Sequence, residues 1–185
     1  MVDKWVFATK NPHKFSEVQA ILGEGILLAP LPSDAPEAPE PYHTLYENAL
    51  AKAAFYADWL GGAQVIAEDS GLFVPALGGQ PGVRSARFGG PQRLLEVMTG
   101  ISNRKAYFVA VVIAYCSPGA YWFETAVWHG SIAETLQGEE GFGYDPVFIP
   151  EGETRTVAQL GDAWKRRHSH RSRAFHRLLA RIRGE

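Results

Sequence analysis

Trp5-Val6-Phe7-Ala8-Thr9-Lys10-Asn11-Pro12-His13-Lys14 opens as a β-rich apolar run and breaks into a polar loop, after which Phe15, Val18, Ile21 and Leu22 recur at helical spacing. Strand, loop and helix in that order make the elementary unit of an α/β protein. The chain continues in kind. Thr44-Leu45-Tyr46-Glu47 has the form of a capping box and starts an Ala-rich helix to about Leu60; Gln64-Val65-Ile66-Ala67 then reads as a strand that stops at Glu68-Asp69-Ser70-Gly71. Lys105 to Cys116 concentrates Tyr, Phe, Val and Ile into the strongest strand, and Tyr121 to Val127 fits as its antiparallel neighbour, so the sheet is expected to be mixed.

Between these elements, residues 23 to 43 are rich in Pro and Gly and predict a short strand near Ile26-Leu27-Leu28 followed by an irregular loop. Gly78 to Gly90 is built from turn formers, and Pro91 opens a helix through about Met98. Thr156 to Leu160 and roughly Ala163 to Arg183 read as helical.

The chain has 185 residues, 46% hydrophobic and 21% charged, the profile of one folded domain rather than of a disordered segment. No stretch reaches 18 apolar residues, and the apolar run near the N-terminus is too short for a secretory leader, so a cytoplasmic protein with no membrane partner is expected. Cys116 is the only cysteine, sits in an apolar run and reads as a buried structural thiol. The net charge of −2 conceals an asymmetry, because eight of the 18 Lys and Arg residues lie between Lys165 and Arg183.

Four segments can carry chemistry. In the loop Thr9, Lys10, Asn11, Pro12, His13 and Lys14, hydroxyl, amide and ammonium groups meet a helix N-terminus, which favours phosphate; the same residues also make an ordinary cap and turn. Glu68 and Asp69, with Glu40 from the preceding loop, offer the hard oxygens that magnesium takes alongside substrate phosphates, or a solvated acidic pair. In the segment Gly138 to Pro146, with Gly141-Phe142-Gly143-Tyr144-Asp145 at its centre, Phe142 or Tyr144 could stack on a base and Asp145 could accept from a ring nitrogen or sugar hydroxyl; the alternative is a tight turn with its aromatics in the core. The run Lys165 to Arg173 reads as a solvated helix face or a nucleic-acid patch.

Taken together and in order, these segments resemble the inosine triphosphate pyrophosphatase family, the non-canonical purine NTP pyrophosphatases or XTP/dITP diphosphatases. The resemblance runs from about Val6 to Leu179 and is carried by Ala8 to Lys14, Tyr46 to Ala53, Glu68 to Leu72, Gly78 to Arg87, Gly141 to Phe148 and Ser169-His170-Arg171. It implies an elongated α/β fold with a long mixed sheet flanked by helices and two lobes around a central cleft, usually as a homodimer. It implies magnesium-dependent hydrolysis of ITP, dITP or XTP to the monophosphate and pyrophosphate. Thr9, Asn11 and Lys14 would grip the triphosphate, with Lys10 adding charge; Glu40 and Asp69, and Glu68 if its longer arm reaches, would hold Mg2+. Asp69 would activate water, Ser70 would contact substrate, Phe142, Gly143, Tyr144 and Asp145 would form the nucleoside pocket, and Lys165, His170 and Arg171 would complete it. A donor-only arginine suits the O6 and N7 acceptors of hypoxanthine, whereas the adenine amino group would leave two donors facing each other, at about 1–3 kcal/mol.

This chain departs from the family pattern in three places. Glu68 stands where an aspartate is common, the stretch from Phe88 to Tyr107 is short, and Trp164 and Arg166 replace the acidic and asparagine residues that often flank Lys165. Two further readings are a pyrophosphatase for other modified nucleotides and a catalytically lapsed nucleic-acid-binding protein. The slightly negative net charge and the intact carboxylates weigh against a stable nucleic-acid partner.

Overall fold

The computed structural model describes residues 4–23 and 26–184; the reading of the first three residues as part of no leader lies outside them. The elements in chain order are β1 (Lys4–Phe7), α1 (Pro12–Leu22), β2 (Leu27–Pro30), α2 (Leu45–Trp59), β3 (Val65–Phe73), β4 (Pro81–Gly82), α3 (Gly90–Val97), β5 (Lys105–Ser117), β6 (Ala120–Ile132), β7 (Phe148–Pro150), α4 (Val157–Leu160), α5 (Asp162–His168) and α6 (His170–Arg183). Hydrogen bonding orders the strands β2-β1-β3-β5-β6-β7, with β4 attached to β3. β1 runs parallel to β2 and β3, whereas β3–β4 and β6–β7 are antiparallel. The sheet is therefore mixed, in an α/β fold, as the strand pattern predicts.

The chain forms two compact units. One holds residues 4–69, 110–126 and 171–184 of the described chain; the other holds 70–109 and 127–170. In the first, Trp5, Phe7, Ile66, Val112 and Ala114 from strands pack with Val18 and Leu22 of α1 and with Phe175 and Leu178 of α6. Full burial of each large apolar side chain contributes about 1.5–3 kcal/mol. In the second, Leu72, Leu94, Met98, Phe108, Trp128, Ile132, Phe148 and Val157 form the core. A close backbone approach helps to shape it: a side chain at Gly71 would run into the Gly82 carbonyl, and Ser85 Oγ accepts from the Leu72 amide while donating to Gly82 O.

Three local expectations need correction. β3 does not stop before Glu68; it continues through Glu68 and Asp69 to Phe73, so the two acids are mid-strand. The two acids are tolerated inside the strand because Lys14 and Arg171 face Glu68, and Lys52 and Lys14 act on Asp69. The single C-terminal helix is two, because Ser169 takes an extended conformation (φ −69°, ψ 160°) between α5 and α6. Cys116 is half-buried, with the Gln64 side-chain amide 3.8 Å from its sulfur. β7 and the two-residue β4 have no strand signal of their own in sequence and exist through their neighbours.

Candidate functional site

The first unit contains a dense charge cluster centred on β3. Glu68 is 2% exposed and Asp69 9%, and strand alternation sends them to opposite faces, so they do not act as a paired dyad. Glu68 Oε2 lies 3.0 Å from Lys14 Nζ, and its Oε1 accepts from Arg171 Nε at 3.2 Å. Arg171 also donates through Nη1 to Glu17 Oε2 at 2.8 Å. Two buried carboxylates are thus balanced by two cations drawn from α1 and α6. Burial works against the Arg171 charge, but Glu68 and Glu17 outweigh it and raise its pKa, so it stays protonated.

Lys14 is aimed by the cap of α1. Asn11 Oδ1 accepts from the backbone N–H of His13 (2.9 Å) and Lys14 (3.3 Å), Thr9 Oγ1 accepts from the Asn11 amide, and Pro12 starts the helix where its missing N–H costs nothing. The cap-and-turn reading and the phosphate reading of this loop are therefore compatible. Lys10 reaches the exposed Glu37 at 3.1 Å, and His13 is exposed. Thr9, Lys10, Asn11 and Pro12 also line a cavity of about 420 Å³ together with Phe15 and residues that follow β2.

Lys52 of α2 completes the cluster. Its ammonium is 2.5 Å from Glu40 Oε1 and donates to the Glu68 carbonyl at 3.5 Å. Burial opposes its charge, but Asp69, Glu40 and Glu68 prevail and raise its pKa. The pKa of Asp69 is raised as well, which for a carboxyl disfavours the charged form. Burial lifts its carboxyl to about 6; Lys52 and Lys14 pull it down, while Glu40 and Glu68 add to the rise. Among the described residues no three His, Cys, Asp or Glu side chains converge into a ready-made cation cage. Magnesium does not need one, since it binds through one or two carboxylates plus phosphate oxygens. Asp69 and Glu40 are all-oxygen donors whose mutual repulsion a divalent cation would relieve, so the donor set fits the ion; Glu68 is the poorer candidate because each of its oxygens already faces a cation.

In the second unit the glycine-aromatic turn is closed by its own acid. Asp145 Oδ2 accepts from the Phe142 amide at 2.9 Å and from Lys165 Nζ at 2.7 Å. Gly141 has φ 82°, and a side chain there would run into Asp145, so the turn requires glycine. Lys165 Nζ lies 4.1 Å from the centre of the half-exposed Phe142 ring. Tyr144 belongs to the core: its hydroxyl donates to Ser85 O at 2.7 Å, and burial pushes its pKa up to about 12. Of the two aromatics that could stack on a base, Phe142 is the one with an accessible ring. His170 is buried, stacked on Phe108 (4.6 Å, 9°) with Trp128 alongside (5.8 Å, 24°).

The expected residues thus fall into two groups. Thr9, Asn11, Lys14, Glu40, Glu68, Asp69 and Arg171 belong to the first unit, and Ser70, Phe142 to Asp145, Lys165 and His170 to the second. The guanidinium expected at the base is here turned onto Glu17 and Glu68. Two members of the charge cluster, Glu17 and Lys52, were given no role from sequence. Lys14 and Glu17 are three apart on one helix face, and an acid beside the buried Val18 was the available signal. Within the basic run Lys165 pairs with Asp145 and Arg171 with Glu17 and Glu68; further along α6, Arg177 donates to Thr125 O and Arg181 meets Glu124. No helix among the described residues is long and apolar enough to cross a membrane.

The Ham1 family model matches residues 5–181. The chain belongs to the Ham1 family. Among Ham1 relatives, the protein named dITP/XTP pyrophosphatase from Chromobacterium violaceum is 40% identical, with 98% of both chains covered. One of the same name from Methanopyrus kandleri is 45% identical over 95% of this chain and 94% of its own. A Ham1 protein structure from Coxiella burnetii superposes with a TM-score of 0.88 at 32% identity, covering all of both chains. The motif resemblance and the fold point to the same family.

Proposed function

We propose that this Ham1 protein is a nucleoside triphosphate pyrophosphatase acting on dITP, ITP and XTP, in which Asp69 serves as general base. The observation that carries the proposal is the placement of the buried Asp69 carboxyl, lifted to about 6 in the metal-free protein, in one cluster with Glu40, Lys14 and Lys52, whose ammonium groups can meet phosphate charge. The names of the relatives supply the substrate class.

In this reading Thr9, Asn11 and Lys14 bind the phosphates, helped by Lys10 and Lys52. Asp69 accepts a proton from water as its oxygen attacks the α-phosphorus; the bond to the bridging α–β oxygen breaks and pyrophosphate leaves. Asp69 and Glu40 would hold Mg2+, which when bound neutralises phosphate charge and polarises the phosphorus centre. Arg171 holds Glu17 and Glu68 in place through its two ion pairs. Phe142 offers a ring face to the base, and Lys165 beside it is a donor-only group matched to O6 and N7 acceptors rather than to an amino group. Ser70 and His170 complete the substrate contacts, and a cytoplasmic homodimer is part of the same reading.

A panel of ITP, dITP, XTP, GTP, ATP and pyrimidine triphosphates with magnesium, scored for pyrophosphate release, tests it beside Asp69→Asn. The expected result is preference for hypoxanthine and xanthine triphosphates and a loss of about a hundredfold or more in the variant, the size typical of a general base. Best turnover of ATP or of a pyrimidine triphosphate, or an Asp69→Asn protein as active as the parent, would overturn it.

A further inference from the structure

α5 has only seven residues, Asp162–His168, and a helix that short does not persist in water on its own propensity. Packing must fix both its existence and its rotation. At its N-terminal end the Asp162 amide donates to Glu140 Oε2 at 3.0 Å. The larger contact is aromatic. The Trp164 ring lies 6.1 Å from Trp128 at 27° and 4.1 Å from His168 at 17°, and His168 Nδ1 is 2.7 Å from Trp164 O, so the indole is clasped between a β6 side chain and its own helix one turn on. Trp128 in turn stacks on the buried His170, which anchors the clasp in the core of the second unit.

Lys165 is the next residue. One step along a helix turns about 100°, so whatever fixes the Trp164 direction fixes the Lys165 direction. Lys165 points to Asp145 and to the Phe142 ring. We infer that Trp164 is a positioning residue for nucleoside binding: by stacking on Trp128 it sets the rotation of α5 that places the Lys165 ammonium beside Phe142. The inference rests on the nucleoside-binding role given to Lys165 above.

The test is a double-mutant cycle of Trp164→Ala and Lys165→Met, read as KM and kcat for dITP, with Trp164→Phe as the conservative variant and thermal midpoints for all. Trp164→Ala should raise KM about tenfold with kcat little changed, and should add nothing further in the Lys165→Met background, the non-additivity expected of two residues acting through one element. Trp164→Phe, which keeps a stacking ring, should restore KM. If Trp164→Ala does not fold, Trp164→Leu replaces it, keeping apolar volume without a ring, and the same KM rise is expected. A KM unchanged by Trp164→Ala or Trp164→Leu while Lys165→Met raises it overturns the positioning role alone. Additive effects, or equal losses in kcat and thermal midpoint that phenylalanine does not rescue, also overturn it. A Lys165→Met protein with parental KM overturns the nucleoside role itself.

Discussion

The charge cluster of the first unit and the glycine-aromatic turn of the second handle buried charge in opposite ways. Around β3, Glu17, Glu40, Glu68 and Asp69 meet Lys14, Lys52 and Arg171, and the balance leaves Asp69 disfavoured in its ionised form. Around the turn, one acid meets one base: Asp145 and Lys165 sit 2.7 Å apart, an amide fills a further acceptor site on Asp145, and a ring closes over the ammonium. The first arrangement keeps unresolved repulsion near the proposed reaction; the second is neutral and fixed in shape. A protein that must take up a polyanion benefits from the former, and one that must distinguish bases benefits from the latter.

The comparison breaks most visibly at Arg171. Replacing it by methionine leaves Glu17 and Glu68 buried with Lys14 as the remaining cation of that group, and the expected loss is about 3–5 kcal/mol in urea unfolding, the range for removing one partner of a buried ion pair. A loss under 1 kcal/mol would mean that the cluster is far more hydrated than its burial indicates.

Asp69 provides a sharper test because the sign is fixed. Its pKa rises from an ordinary 3.8 to about 6 in the folded protein, so between those values the folded state binds the extra proton. Stability contributed by this group is therefore present at low pH and declines as pH rises towards and through 6, by about 2–3 kcal/mol in all. Asp69→Asn should remove that decline and be more stable than the parent at pH 7–8 without added metal, while losing activity. Denaturant midpoints followed from pH 4 to 8 measure the slope; parallel curves for the two proteins would contradict it.

The smallest expected effect lies in the settled half. Thr156 caps α4, accepts from the Gln159 amide, and donates to Gln137 O at 2.6 Å on the segment leading into the turn. Thr156→Ala should cost about 1–2 kcal/mol in thermal unfolding with the substrate preference unchanged.

Most of the architecture was legible because its signals are local. The run from Lys105 to Cys116, the Ala-rich helix after Thr44 and the strand–loop–helix at the start announce themselves through periodicity and caps, and β5, α2, β1 and α1 follow. What escaped was set by partners distant in sequence. Glu68 and Asp69 read as a strand end because nothing nearby neutralises them; their cations come from residues 14, 52 and 171. Arg171 read as a free donor within a basic run because Glu17 is 154 positions away. The break at Ser169 left no proline or glycine to mark it, since a buried serine held in extended conformation ends the first helix. The motifs therefore picked out the segments in which the buried charges lie, while the pairing among individual charges needed coordinates.

The first unit's dependence on α6 has a further implication for biosynthesis. Phe175 meets Phe7 edge-on at 5.7 Å, and Arg171 supplies the counter-charge for acids encoded more than a hundred codons earlier. Until those late residues emerge from the ribosome, the nascent chain holds Glu17 and Glu68 without their guanidinium, and β1 has no cover from α6. The first unit thus cannot complete its core before residues 171–178 are made, and a polypeptide truncated ahead of Arg171 should be left for proteolysis rather than persist in a weakened form.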